Sequence, residues 1–449
     1  MSRMTKAQRK GKTVLDRFLS LFATVHQGEG LTAFLLATNV FILLTAYYII
    51  KPVREALILS NGGAEIKSYA GAVQALLLLL VVPLYGAFAG RTDRVKLING
   101  VIAFFASNLL AFYFLGRAGV DVGVVFFLWV GLFNLMLVAQ FWAFASDIYT
   151  EQQGKRLFAI VGIGSSLGAI LGATVAGWLF QPMGPYSMML VAAALLVLSM
   201  GLTNWIHHRE GHAHPHRPDA GQEPKAESES IGTSGTFRMV FQHRYLFLIA
   251  VMVLLSNVVN TTGEFILGKT IAEYAKQSAN SEAYIGEFYS HFFFLVNLIS
   301  AALQLFAVSR ILKYFGIRPA LLFQPVIALG SYTLLAFVPI LGFIRAAKIA
   351  ENSTNYSLQN TARHALFLDT SRDAKYKAQS AIESFFCRAG DALSALLVFV
   401  GTKLVFDLST FAMANLLFVL VWLGVSLALV GLRKRHNRKV EAGDEERAA

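Results

Sequence analysis

From Leu31 onward the chain alternates between apolar stretches of about 20 residues and short polar turns, and that is the length a helix needs to cross a bilayer core roughly 30 Å thick. Hydrocarbon offers no partner to a backbone N–H or C=O, so each stretch must close its own hydrogen bonds as a helix. The first half holds such stretches at 31–50, 69–90, 97–115, 122–146, 157–180 and 186–206, and the second half at 244–268, 285–308, 319–338, 340–360, 378–404 and 409–432. With 55% hydrophobic and 15% charged residues and a mean hydropathy of +0.55 over 449 residues, a soluble domain is excluded. The expected fold is an all-α polytopic membrane protein, with twelve transmembrane helices in two six-helix halves.

Loop charge orients these helices. Arg91, Arg94 and Lys96, then Lys155 and Arg156, then Arg310, Lys313 and Arg318, then Arg372, Lys375 and Lys377 all fall on the side of both termini, while the alternate turns Gln181–Pro185 and Val338–Gly342 are nearly uncharged. Both termini are therefore expected in the cytoplasm, and for a bacterial chain the membrane is the inner one. The formal net charge of +12 follows partly from the same rule. The expected domains are a cytoplasmic N-terminus over 1–30, a six-helix half over 31–206, a cytoplasmic His-rich linker over 207–243, a second half over 244–432 and a cytoplasmic tail over 433–449. In the N-terminus, Val14, Leu15, Phe18, Phe22 and Val25 line one side of a short helix broken by Asp16 and Arg17, which suits an amphipathic helix at the interface. It lacks the uninterrupted apolar core and small-residue cleavage site of a signal peptide. One cysteine, Cys387, rules out an internal disulfide framework.

Three charges break the end of the first span, which reads Tyr-Tyr-Ile-Ile-Lys-Pro-Val-Arg-Glu-Ala-Leu-Ile-Leu-Ser from Tyr47 to Ser60. Tyr47, Lys51 and Arg54 share a helical face, and charge at membrane depth normally faces an aqueous cavity. The other reading is that Lys51 and Arg54 snorkel from a helix end. The run resembles the end of the first helix in the ATP/ADP translocase family of plastids and obligate intracellular bacteria. Lys51, Arg54, Glu55 and Leu57-Ile58-Leu59 fill that family's pattern of two basic residues, an acid and aliphatics, while Pro52 and Ala56 stand where Asn and Ser are usual. The resemblance implies a nucleotide exchanger in which Lys51, Arg54 and Glu55, with Tyr48 beside them, contact the substrate.

Phe88-Ala89-Gly90-Arg91 followed by Arg94 recurs as Phe306-Ala307-Val308-Ser309-Arg310 followed by Lys313. Six helices plus six with this echo resembles the major facilitator architecture. The Gly86–Lys96 stretch is similar to that superfamily's cytoplasmic loop, with Gly90 where Asp is usual, and it gives Arg91 and Arg94 a gating or structural role. For Arg94 and Lys313 taken singly, basic residues in a cytoplasmic turn need no role beyond topology. In that architecture the first, fourth, seventh and tenth helices line the central cavity.

The tenth span carries Arg345, Lys348, Asn352, Asn355, Gln359 and Arg363 down one face, with Glu351 beside them, and a helix facing lipid would not. Arg345 and Lys348 are also compatible with the outer interface. Aligning Arg363 with Arg54 matches Tyr356 to Tyr47 and Ala365-Leu366 to Ala56-Leu57. The seventh span adds Asn257, Asn260, Thr261 and Glu264, and Glu264 is a candidate partner for a cavity base. In the eleventh, Arg388 and Asp391 stand three apart, the spacing of an internal ion pair.

Two motifs point to structure rather than chemistry. Gly162-Ile163-Gly164-Ser165-Ser166-Leu167-Gly168 hints at a phosphate loop, but Gly164, Gly168, Gly172 and Ala176 repeat every fourth residue inside a span, as close helix packing requires. His207, His208, His212, His214 and His216 sit in a stretch rich in Pro, Gly and charge, which reads as a disordered connector rather than a metal site. The chain has no nucleophile elbow, zinc spacing or P-loop lysine. The expectation is a carrier, not an enzyme, with no cofactor or metal. It is expected to move a small organic anion, a nucleotide by resemblance, by exchange in the lipid bilayer, without nucleic acid, and a monomer suffices for this. A proton-coupled carrier of another anion, with Glu55 or Glu264 titrating, and a non-transporting membrane scaffold are the alternatives.

Overall fold

The computed structural model describes residues 13–89, 93–213, 233–367 and 378–448. Among them every regular element is a helix. In chain order these are α1 (Val14–Leu19), α2 (Gly30–Asn61), α3 (Gly63–Ala89), α4 (Arg94–Arg117), α5 (Gly123–Ile148), α6 (Glu151–Ala213) and α7 (Thr233–Gln242). They are followed by α8 (Arg244–Ala275), α9 (Ser281–Tyr314), α10 (Ile317–Phe337), α11 (341–366), α12 (Gln379–Lys403) and α13 (Leu408–Ala448). Among the described residues, ten helices are long and apolar enough to cross a membrane. One of the ten, α6, is interrupted at Gly184, whose φ of 72° between Pro182 and Pro185 ends one span and starts the next. Polar α11 is not among the ten, because its charged stripe lowers its hydropathy. With both, the helices accommodate the twelve expected segments.

The outer surfaces show what solvent these helices meet. Leu76, Leu84, Phe114 and Leu417 are each more than 60% exposed, far more apolar surface than water tolerates on a monomer. Lipid is its natural solvent, and the chain is an integral multi-pass membrane protein.

The helices gather into two compact units. The described residues of 1–61, 82–226 and 279–297 form one, and those of 62–81, 227–278 and 298–449 form the other. In the first unit α6 lies against α2 through its glycine ladder. A Cβ on Gly164, Gly168 or Gly172 would collide with the carbonyl oxygens of Ala37, Phe41 and Thr45 respectively. The four-residue repeat thus serves backbone-to-backbone contact, and no phosphate loop exists there. Asn39 Nδ2 donates to Thr203 Oγ1 at 2.7 Å and Asn99 Nδ2 to Asn204 Oδ1 at 2.8 Å, polar rungs that fix the register of helices in lipid.

At the start of α2 the chain is clasped. Asp16 is 1% exposed: it caps α1 with Thr13 and accepts from the Gly30 amide at 2.9 Å. It anchors α1 rather than merely breaking it. Val25 is fully buried, so it leaves the apolar side on which Val14, Phe18 and Phe22 are exposed. Arg156, at the start of α6, grips Glu29 with both ends of its fork at 2.9 and 3.1 Å. Burial pushes the Glu29 carboxyl up, but the bonds from Arg156, the His26 amide and Gln153 outweigh it and hold the group below its ordinary value.

The interval between the two halves is not wholly unstructured: α6 runs on to Ala213, and Thr233–Gln242 forms a helix. His214 and His216 lie outside the described residues, as do Arg91, Arg372, Lys375 and Lys377.

Candidate functional site

Each unit carries its own buried cluster of charge. In the first, α2 runs unbroken through Pro52, and Lys51 is 8% exposed and Glu55 1%. The Lys51 Nζ sits 4.0 Å from the centroid of Phe293 and 5.0 Å from that of Tyr48, so aromatic faces replace part of the water a buried ammonium gives up. Arg54 is ion-paired with Glu55: its Nε donates to Glu55 Oε1 at 3.0 Å, and its Nη2 reaches the same oxygen. The guanidinium plane rests 4.8 Å from the ring of Phe127. Tyr47 stacks on Phe133 at 6.3 Å. Snorkelling requires the charge to reach water. Lys51 and Glu55 are buried and Arg54 is bound within the protein, so the structure favours an internal polar cluster.

The second cluster joins four elements of the other unit. Lys348 on α11 is 1% exposed, and its three protons have three acceptors: Asn260 O at 3.2 Å, Asn260 Oδ1 at 3.0 Å and Glu351 Oε2 at 3.0 Å. Glu264 Oε1 stands 3.7 Å from the same nitrogen and accepts from Asn352 Nδ2 at 2.9 Å. Tyr332 on α10 reaches Glu351 Oε2 at 3.1 Å and Val259 O at 3.2 Å, and Asn415 on α13 donates to Val259 O at 3.0 Å. Space for this comes from Gly263, where a Cβ would collide with the Tyr332 hydroxyl and lie 3.0 Å from Lys348 Nζ.

The stripe on α11 continues with a change of pitch. Residues Asn355–Gln359 form a wider π turn between two α segments, which moves the lower part of the stripe off the line that regular helical spacing draws. Gln359 is buried and Asn355 half-buried. Arg363 does not join Lys348. It donates to Asn360 Oδ1 at 3.0 Å and lies 3.9 Å from Glu383 on α12.

Arg388 and Asp391 form the pair their spacing suggests, at 3.2 Å. Asp391 is also held from α8, by Asn257 Nδ2 at 2.7 Å and Thr261 Oγ1 at 3.0 Å, so it ties α12 to α8. Arg94 bonds Asp147 at 2.8 Å; a carboxylate at the end of α5 supplies what Gly90 cannot. Tyr332, Gly263, Phe127 and Phe293 went unnoticed in the sequence. The aromatics lie in apolar runs, and the available signal was a glycine one place from Glu264. No group of three His, Cys, Asp or Glu side chains that could hold a metal ion occurs among the described residues.

The comparisons with known proteins bear on this arrangement. The chain is 21% identical over 304 residues to ADP,ATP carrier protein 1 of Chlamydia pneumoniae, covering 59% of this chain and 57% of that one. It is 20% identical over 362 residues to ADP,ATP carrier protein 2 of the same organism, covering 69% and 65%. The matches thus span well under the full length of those relatives. Among solved structures, nucleoside transporter NupG superposes with a TM-score of 0.64 at 13% identity, covering 90% of this chain and 99% of that one. A bacterial homologue of the lysosomal transporter Spinster gives 0.61 at 14% identity, covering 89% and 96%. The relatives and the structural neighbours are transporters, and the resemblance read at Lys51–Leu59 agrees with the carrier relatives. The model of the Major Facilitator Superfamily matches residues 30–358, and with this fold the chain belongs to that superfamily.

Proposed function

We propose that this membrane transporter exchanges an organic anion, in chemical terms a nucleotide, by alternating access, with both termini in the cytoplasm. The observation that carries the reading is the pairing of Arg54 with Glu55 beside buried Lys51. A guanidinium fixed by a carboxylate and a ring holds its charge in a set orientation toward a phosphate, and the nearby ammonium adds a point charge. The curated relatives are named for ADP and ATP, which supports nucleotides among the anions. Lys348, Asn352 and Glu264, with Asn355, Gln359 and Arg363 further along α11, supply the second set of substrate contacts in this reading, and Arg94, Arg388 and Asp391 hold helices together. Purified protein titrated with ATP, ADP, a dicarboxylate and a neutral nucleoside tests it. Thermal stabilisation by the nucleotides and none by the nucleoside is expected; stabilisation by the nucleoside alone would overturn the reading.

The contact of Glu264 with Lys348 at 3.7 Å favours one variation, in which a carboxylate in the second cluster takes up a proton during transport of the anion.

A further inference from the structure

The second cluster does not balance its charge. Among the described residues one cation, Lys348, faces two carboxylates, Glu351 and Glu264, and the remaining partners Asn260, Asn352, Tyr332 and Asn415 are neutral. One negative charge is left over. In water that would be trivial, but Glu351 is 2% and Lys348 1% exposed, and an uncompensated charge in such a place is relieved by taking up a proton or a counter-ion.

The hydrogen bonds say which carboxylate has room. Every proton of the Lys348 ammonium has an acceptor within 3.2 Å, so it has none to spare for Glu264. Glu264 has the Asn352 amide instead, and its side chain is 24% exposed. Glu351 receives two donors on one oxygen, from Lys348 and Tyr332, while its Oε1, fully buried, has no hydrogen-bond partner among the described residues. The groups that face Glu351 are Lys348 from its own helix, Tyr332 from α10 and Glu264 from α8.

We propose that Glu351 is a proton-binding site of this transporter, and that Lys348 passes between Glu351 and Glu264 as the proton comes and goes. The step is a simple protonation. A proton from water bonds to Glu351 Oε1, the carboxylate becomes a neutral acid, and the cluster goes from one net negative charge to none. The neutral acid no longer holds the ammonium, and Glu264, 3.7 Å from it, takes over as its counter-ion. An anion that reaches Lys348 has the same effect from the other side: it draws the ammonium away and leaves Glu351 to take a proton. Proton and anion then move together. This coupling rests on the carrier reading, but the proton site itself does not.

Two arms test it. In the first, full-length protein in nanodiscs is titrated while the infrared carboxylic-acid carbonyl band is followed. A component of the band should grow as pH falls in the parent, be missing in Glu351→Gln and shift in frequency in Glu351→Asp. Its midpoint should move to lower pH in Glu264→Gln, which removes a neighbouring negative charge, and to higher pH in Lys348→Gln, which removes the positive one. A Glu351→Gln spectrum that superposes on the parent's would overturn the site. In the second arm, proteoliposomes preloaded with unlabelled anion are placed in labelled anion with the outside made acid. One proton per anion and a gradient of one unit at zero membrane potential sustain about tenfold accumulation, and Glu351→Gln should lose it. Equal accumulation in both proteins would overturn the coupling and leave the carrier reading intact. No anion movement in the parent would overturn the carrier reading, and the infrared arm would still decide the site.

Discussion

Arg54 is the residue on which the anion reading depends most. Its fork lies against Glu55 and its plane against Phe127, a geometry that lysine cannot reproduce. Arg54→Lys keeps the charge and loses the planar donor pair, so apparent affinity for the transported anion should weaken by about 1 to 3 kcal/mol, roughly five- to a hundredfold. Uptake measured over a range of anion concentrations checks this, and an unchanged affinity would remove Arg54 from the binding site. Gly263 is a second residue with a sharp expectation. Alanine there must displace the Tyr332 hydroxyl from a buried cluster, so Gly263→Ala should destabilise by about 1 to 3 kcal/mol, read as a lower melting temperature in detergent. The charged members of both clusters were visible in the sequence, because charge inside an apolar run has few structural uses. Their neutral supports were not: Tyr332 and Phe293 look like any other lipid-span aromatic until a neighbouring helix brings a charge to them.

At the scale of helices, the contact between α6 and α2 decides how the first unit packs, and two glycines on the same helix give it a sign test. Replacing glycine by alanine within a helix ordinarily gains up to about 1 kcal/mol. Gly162 has open space around its Cα, so Gly162→Ala should be neutral or stabilising. Gly168 meets the carbonyl of Phe41, and the collision, about 1 to 3 kcal/mol, should outweigh that gain. Thermal unfolding of the two variants side by side checks the difference; equal melting temperatures would contradict the packing. The glycine ladder was legible because a four-residue repeat of small side chains has a direct geometric meaning. The π turn at Asn355–Gln359 was not, since a shift from one backbone acceptor to the next leaves no mark in side-chain pattern. Periodicity likewise leaves the role of Asp16 hidden: it reads as a polar interruption of the apolar side, whereas it accepts from the amide of Gly30 fourteen residues away.

For the molecule as a whole, the apolar segments and the turns between them fixed the class of fold, since only helices meet the demands of lipid along such runs. The glycine bend in α6 and the polarity of α11 show the limits of counting spans by hydropathy: one helix carries two crossings, and another is too charged to score as one. The substrate proposed above was legible only as a sign of charge, because half-buried Arg54 and buried Lys51 suggest an anion and not its identity. Nucleotide exchange by the transporter is the proposal on which the rest depends. The most direct measurement loads proteoliposomes with unlabelled ADP and follows entry of labelled ATP, with a dicarboxylate, a sugar phosphate and a neutral nucleoside as competing internal solutes. Entry that depends on internal ADP or ATP and is lost with the neutral nucleoside inside is the predicted result; entry that only the neutral nucleoside supports would contradict it.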